Sequence, residues 1–186
     1  MNENENKKDL RLNIKAAFLD EITADIPALN YDRDDWDAEF SEMKKAGIEH
    51  AVMIRCGNEK LISYPSKVLM KKCGCFEPPE DLPAMFLELA EKHGMKFWFG
   101  SYFSGNDWLK ETYDVNQESD LMNEVNDEFY ERVGKHSSAF GGWYFFSGNF
   151  HFCISSCVGL LLSNGKTLSG TDTGTAPFDF SRVSCA

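Results

Sequence analysis

Two carboxylates, Asp20 and Glu21, follow directly on the apolar run Ile14-Lys15-Ala16-Ala17-Phe18-Leu19. A second apolar segment, His50-Ala51-Val52-Met53-Ile54, ends in Arg55. Runs this short read as buried strands, so each charged group falls where a strand meets solvent. Carboxylates placed there can move protons, and Arg55, with Asn58 and Tyr64 in the segment after it, can bind a polar substrate. The plainest structural role for Arg55 is an ion pair with Asp20 or Glu21 that fixes the two strand ends. Alternation with period two puts Ala51, Met53 and Arg55 on one face and Val52, Ile54 and Cys56 on the other, and the second set is the better helix-facing one. Arg55 is therefore expected on the open side. Which of Asp20 and Glu21 shares that side stays open, and as neighbours on a strand they cannot work as a pair.

The elements that would position these groups recur. After strand one, Asp34 and Asp35 supply negative charge to a helix start, and Trp36, Phe40 and Met43 form one apolar face. Gly47 then stands where a left-handed helix stop is wanted. After strand two comes a long loop holding a short helix over residues 66–72. Asp81 is next, as an N-cap, with Pro83 in the first turn and Met85, Phe86, Leu89 and Ala90 as the stripe; Gly94 is the stop. Strand three is Met95 to Phe99, ended by Gly100. A third helix runs from about Asn116 or Ser119 to Arg132, stopped by Gly134, and strand four is Phe140 to Phe145. Strand, loop, helix and glycine repeating in this way predict an α/β fold of parallel βαβαβαβ units. No glycine-rich phosphate loop follows strand one, so the first half of a (β/α)8 barrel is expected rather than a nucleotide-binding sheet. The organisation is a disordered polar N-terminus over 1–13, a partial barrel over 14–145 and an atypical tail over 146–186.

Composition narrows the partners. A formal net charge of −11 repels phosphate backbones and anionic lipid surfaces, so neither nucleic acid nor membrane is expected. No segment approaches the ~20 apolar residues of a membrane span, and the N-terminus lacks the apolar core of a signal peptide, which predicts a cytoplasmic protein. The six cysteines match no paired zinc-ligand spacing, so no metal and no cofactor is expected. Cys56 reads as a buried thiol rather than a nucleophile, because no histidine is positioned to activate it.

Several of these segments resemble one known family. Phe18-Leu19-Asp20-Glu21-Ile22, Trp36-Asp37-Ala38-Glu39-Phe40 leading to Met43-Lys44-Lys45-Ala46-Gly47-Ile48, Met53-Ile54-Arg55 and Phe140-Gly141-Gly142-Trp143-Tyr144 are similar to the glycoside-hydrolase-like TIM-barrel family called domain of unknown function 4434. The resemblance implies a barrel and a carbohydrate ligand. Glycosidic cleavage uses two carboxylates, so Asp20 or Glu21 would be catalytic and need a partner from another strand. Arg55, Asn58, Tyr64, Trp98, Tyr102, Trp108 and Tyr144 would bind substrate, the aromatics by stacking on sugar rings. Related barrels place a carboxylate just beyond strand four. This chain reads Phe146-Ser147-Gly148-Asn149 there, and the next acid after Trp143 is Asp172.

From Phe145 onward the charged fraction falls from about a third to about a tenth, while Ser, Thr, Gly and Cys rise to nearly half. A full barrel takes about 250 residues. The expectation is therefore a truncated, inactive glycoside-hydrolase-like barrel whose tail comes from a frame error or fusion. The alternatives are a non-catalytic carbohydrate-binding or interaction module, and a natural short form whose tail makes a hairpin over the sheet edge. Unpaired edges on strands one and four would favour self-association.

Overall fold

The computed structural model describes residues 14–105, 111, 114–145 and 160–162. Its strands begin with β1 (Ala16–Leu19) and β2 (His50–Met53), followed by the short β3 (Gly57–Asn58) and β4 (Leu61–Ile62). Next come β5 (Lys96–Gly100), β6 (Tyr102–Phe103), β7 (Phe140–Phe145) and β8 (Leu160–Leu162). The helices are α1 (Arg33–Lys45), α2 (Lys67–Cys73), α3 (Leu82–His93) and α4 (Val115–Arg132). One sheet has the order β1-β2-β5-β7-β8, and its first four strands are parallel, as the repeated units predict. β8 pairs antiparallel with β7 and covers its outer edge. A second sheet, β4-β3-β6, is built from the segments that continue past β2 and β5.

Local chemistry explains the helix boundaries. Asp32 caps α1 by accepting from the backbone N–H groups of Asp34 and Asp35, and Asp35 returns the bond to the Asp32 N–H. Gly47 is left-handed, and the Ile48 N–H reaches back to the Met43 carbonyl. Asp81 caps α3, Pro83 lies in its first turn and Gly94 closes it in the left-handed region. α4 starts earlier than its apolar stripe suggests because Asp114 caps it. Gly134 is a correction: it opens a 3-10 turn and is not left-handed, so the helix stops at Val133 without a glycine signal.

The core lies between the parallel sheet and its helices. Met53, Phe97 and Phe99 from the sheet meet Phe40, Phe86 and Phe129 from the helices, all fully buried. Each such side chain contributes roughly 1.5–3 kcal/mol by leaving water. Phe99 and Phe129 stack with centroids 3.9 Å apart. α4 is tied to α2 by Glu128, which accepts from the Lys67 N–H at 2.7 Å, the Val68 N–H at 3.3 Å and the Ser66 hydroxyl at 2.5 Å. A carboxylate over the N-terminus of a helix satisfies its orphan donors.

The other face of the sheet is thinner. Val52, Trp98 and Tyr144 form a small buried cluster with Ala16, and Phe18 meets Tyr144 edge-on at 5.1 Å while remaining 57% exposed. Two glycines make this face possible. A Cβ on Gly141 would lie 2.8 Å from the Trp98 indole, so strand β7 leaves room for that ring. A Cβ on Gly100 would meet the Met53 carbonyl at 2.3 Å, so Gly100, which ends β5 as expected, is also a close-approach residue against β2.

Candidate functional site

The strands end at a common rim that backbone bonds extend by a residue or two. Ile54 N–H donates to the Leu19 carbonyl, Cys56 N–H to Gly100 and Ser101 N–H to Tyr144. At the β1 end Asp20 folds the chain into a turn, accepting from the Thr23 N–H at 3.1 Å and the Thr23 hydroxyl at 2.5 Å. The same Thr23 oxygen accepts from Arg55 at 3.2 Å. Asp20, Thr23 and Arg55 thus form one network across the ends of β1 and β2. Partial burial pushes the Asp20 carboxyl upward, but the Thr23 and Ile22 hydrogen bonds and the Arg55 charge outweigh it and hold the group below the ordinary aspartate value. Asp20 is ionised at neutral pH. Thr23 carries the link and was not singled out from sequence, although an Asp followed three residues later by Thr is a turn signal that points to it.

Two expectations need correction here. Arg55 makes no ion pair with Asp20 or Glu21; it bonds to Thr23 instead, and among the described residues its buried Nε has no partner. The faces of β2 are also the reverse of the alternation argument. Ala51 and Met53 belong to the helix-side core and Val52 to the opposite cluster. Pairing with β1 stops at Met53 and the chain bends at Ile54, so the phase slips and Cys56 returns to the core side.

Glu21 parts from Asp20. It is 3% exposed, and neither carboxyl oxygen has a hydrogen-bond partner on another residue among those described. Burial, with the Asp20 charge adding to it, raises its pKa well above the glutamate value, against the weaker opposing pull of its own backbone amide and of the Arg55 charge. Glu21 is one of the residues around a cavity that Trp36, Ile62 and Leu82 also line, on the helix side of the sheet, and its carboxyl oxygens are sealed from that space.

The remaining predicted residues divide. Trp98 and Tyr144 share the thin face, with the Trp98 indole N–H bonded to His50 Nδ1 at 3.1 Å. Asn58 lies in β3, paired with Leu61 and Phe103 in the small sheet. Tyr102, in β6, donates to the Glu59 carbonyl and faces a groove with Cys73, apart from the rim network. Tyr64 is withdrawn from any ligand-facing role: it is fully buried, edge-on to Phe99 and Phe129, with its hydroxyl 3.3 Å from Glu128. Trp108 lies outside the described residues. Cys56 is a buried thiol, and burial raises its pKa well above the ordinary value. Among the described residues no three histidine, cysteine or carboxylate side chains gather to hold a metal ion. No helix among them is long and apolar enough to cross a membrane.

Chemically the rim offers an ionised carboxylate as acceptor and a guanidinium as donor, bridged by a hydroxyl. This arrangement can orient hydroxyl groups of a ligand. Among the described residues it does not contain a second carboxylate beside Asp20, because Glu21 is turned behind the sheet.

Comparison with known proteins adds to this geometry. Residues 14–152 match the family described as Domain of unknown function (DUF4434). Among solved structures, a candidate alpha-L-fucosidase from Bacteroides thetaiotaomicron is 45% identical, with a TM-score of 0.63 over 71% of this chain. The chain spans 40% of the length of that relative. A bacterial fucosidase with a monovalent iminocyclitol inhibitor matches 62% of this chain and 27% of its own at 13% identity and a TM-score of 0.44. An alpha-L-fucosidase from Bacteroides thetaiotaomicron matches 62% and 26% at 14% identity and a TM-score of 0.40. The last two are too dissimilar in shape to inform the site. No curated protein matches the chain.

Proposed function

The chain belongs to the DUF4434 family, and on that premise we propose that its strand-end rim is the carbohydrate-facing surface of a glycoside-hydrolase-like domain. The observation that carries the reading is the Asp20, Thr23 and Arg55 network at the ends of neighbouring parallel strands. A sugar presents hydroxyls that both donate and accept, and a carboxylate beside a guanidinium matches them. Trp98 and Tyr144 lie on the strand face next to the rim and supply its apolar floor. The 45% identity to a candidate alpha-L-fucosidase makes an α-L-fucoside the first substrate to test.

Hydrolysis needs one carboxylate to protonate the leaving group and another as nucleophile or base, about 5 to 9.5 Å apart. Asp20, being ionised, suits the second role. A second reading, a binding module without turnover, is favoured by the burial of Glu21, which leaves Asp20 without an acid partner at the rim among the described residues.

Release of nitrophenol from 4-nitrophenyl α-L-fucoside, measured alongside calorimetric binding of L-fucose, separates the two. Turnover that Asp20→Asn lowers by on the order of 10²-fold or more supports the enzyme. Binding without turnover, weakened by Asp20→Asn and by Arg55→Met, supports the module. Neither binding nor turnover for fucosides or a wider panel of glycans would remove both readings.

A further inference from the structure

His50 opens β2, at the end of the strands away from the rim. Alternation along β2 puts it on the same side of the sheet as Val52, and Lys96 of β5 pairs opposite it. Two residues further along β5, Trp98 reaches back toward it. The indole N–H donates to His50 Nδ1 at 3.1 Å, with the ring centroids 6.0 Å apart and the planes at 55°. A polar bond therefore runs beneath the apolar cluster of Val52, Trp98 and Tyr144.

This bond specifies a protonation state. An indole N–H donates and cannot accept, so Nδ1 is the bare nitrogen and the proton of the neutral imidazole sits on Nε2. Protonation turns both ring nitrogens into donors, and the indole N–H then faces another N–H in place of a lone pair. Trp98 has little room to adjust, because β5 lies between β2 and β7 and the indole is pressed against β7 on the side away from His50. A Cβ on Gly141 would come 2.8 Å from Trp98 Cε2 and 3.0 Å from Nε1.

The charged groups that share a cleft with His50 at the strand starts are Lys44 of α1, Glu49, Glu91 of α3 and Lys96 of β5. Each is engaged. Glu49 pairs with Lys15 at 2.5 Å, and Lys44 and Lys96 donate to the carbonyls of Gly94 and Ser138 at 2.7 and 2.6 Å. Glu91 accepts from the N–H and the hydroxyl of Ser138 at 2.8 and 3.0 Å. Lys15 holds the Glu49 carboxyl below its ordinary value and Ser138 does the same for Glu91, so both stay ionised across the range in which histidine changes charge.

On the premise that the rim binds carbohydrate, we propose that His50 is a positioning residue for it: the neutral imidazole holds the Trp98 indole in the floor beside the rim, and protonation releases the ring and weakens sugar binding.

The experiment follows the Trp98 indole N–H of the full chain by NMR from pH 8 to pH 5 without sugar, together with the His50 imidazole nitrogens. Trp98→Phe and His50→Gln assign the resonances. At pH 8 the imidazole proton is expected on Nε2, and the indole resonance should move with the same midpoint as the imidazole. In His50→Gln the amide oxygen still accepts and does not titrate, so the indole should stay in place. Calorimetric titration with L-fucose reads the consequence. Between pH 8 and pH 5 the parent should lose roughly three- to tenfold more affinity than His50→Gln, the worth of one hydrogen bond. Glu21 also titrates above the usual glutamate range, but it does so in both proteins, so their difference isolates His50.

An imidazole proton on Nδ1 at pH 8, or an indole resonance indifferent to the charge of His50, overturns the positioning role even if the sugar binds. Equal losses of affinity in the two proteins overturn the coupling to the sugar. A titrating indole with no binding of L-fucose or other glycans at either pH overturns the carbohydrate reading while supporting the placement of Trp98 by His50.

Discussion

The two faces of the parallel sheet come from the same strands and are built differently. Toward the helices, Met53, Phe97 and Phe99 interlock with Phe40, Phe86 and Phe129, and every one of these side chains is sealed from water. On the other face Val52, Trp98 and Tyr144 make a much smaller cluster, and Phe18 beside them is more than half exposed. Hydrophobic stabilisation scales with area removed from water, so the helix side holds the fold together. The thin face contributes less and is free to present Asp20 and Arg55 at its end. The division also explains the separate fates of two adjacent carboxylates. Asp20 follows the thin face and stays ionised, while Glu21 follows the packed face and is driven toward its neutral form.

The largest expected effect tests the packed face. Phe129 touches Phe99, Tyr64 and Phe140, and no part of it reaches solvent. Phe129→Ala should lower unfolding free energy in urea by about 3–5 kcal/mol, the lost transfer energy plus the cost of the cavity left behind. A loss under about 1 kcal/mol would mean that α4 is not part of the cooperative core, and the contrast between the faces would fail.

Much of this architecture is legible in the sequence because its signals are local. Gly47 and Gly94 announce helix ends through a conformation that favours glycine, and Asp81 with Pro83 announces a helix start. The strand order follows from repeated strand and helix units. What escapes is set by contacts between distant residues. The face of β2 is misread because the chain stops pairing at Met53, and nothing in the alternating pattern marks that slip. Tyr64 looks like a loop residue until α4 brings Phe129 and Glu128 over it from more than sixty positions away. The β4-β3-β6 sheet consists of two-residue strands, too short to show any period. At the rim, Asp20 and Arg55 are legible as strand-end charges, but the hydroxyl that joins them is visible only once the turn is formed.

A smaller effect is expected where charge intrudes on the packed face. Between the ordinary glutamate value of 4.5 and the higher value in the fold, the native protein keeps a proton on Glu21 that the unfolded chain has released. Stability from this group is therefore fully present below pH 4.5 and is lost as pH rises toward the folded value, with a slope of at most about 1.4 kcal/mol per pH unit. Glu21→Gln should flatten that slope and make the protein more stable than the parent at pH 8, with little difference at pH 4. Urea melts of both proteins across pH measure it. Equal slopes would place Glu21 in water and undo the reading of its environment.

The smallest effect bears on the thin face and sharpens the comparison most. Phe18 meets Tyr144 edge-on with centroids 5.1 Å apart, and 57% of it remains in water. Truncation removes little buried area and one aromatic contact, so Phe18→Ala should cost roughly 1 kcal/mol or less in the same urea melts. The ratio to the Phe129→Ala loss then measures the asymmetry of the sheet directly. A Phe18→Ala loss as large as that of Phe129→Ala would mean that the thin face is covered in solution and carries structural load. The rim would then be the edge of a closed core rather than the border of an open one, and Asp20 and Arg55 would have far less room to meet a ligand.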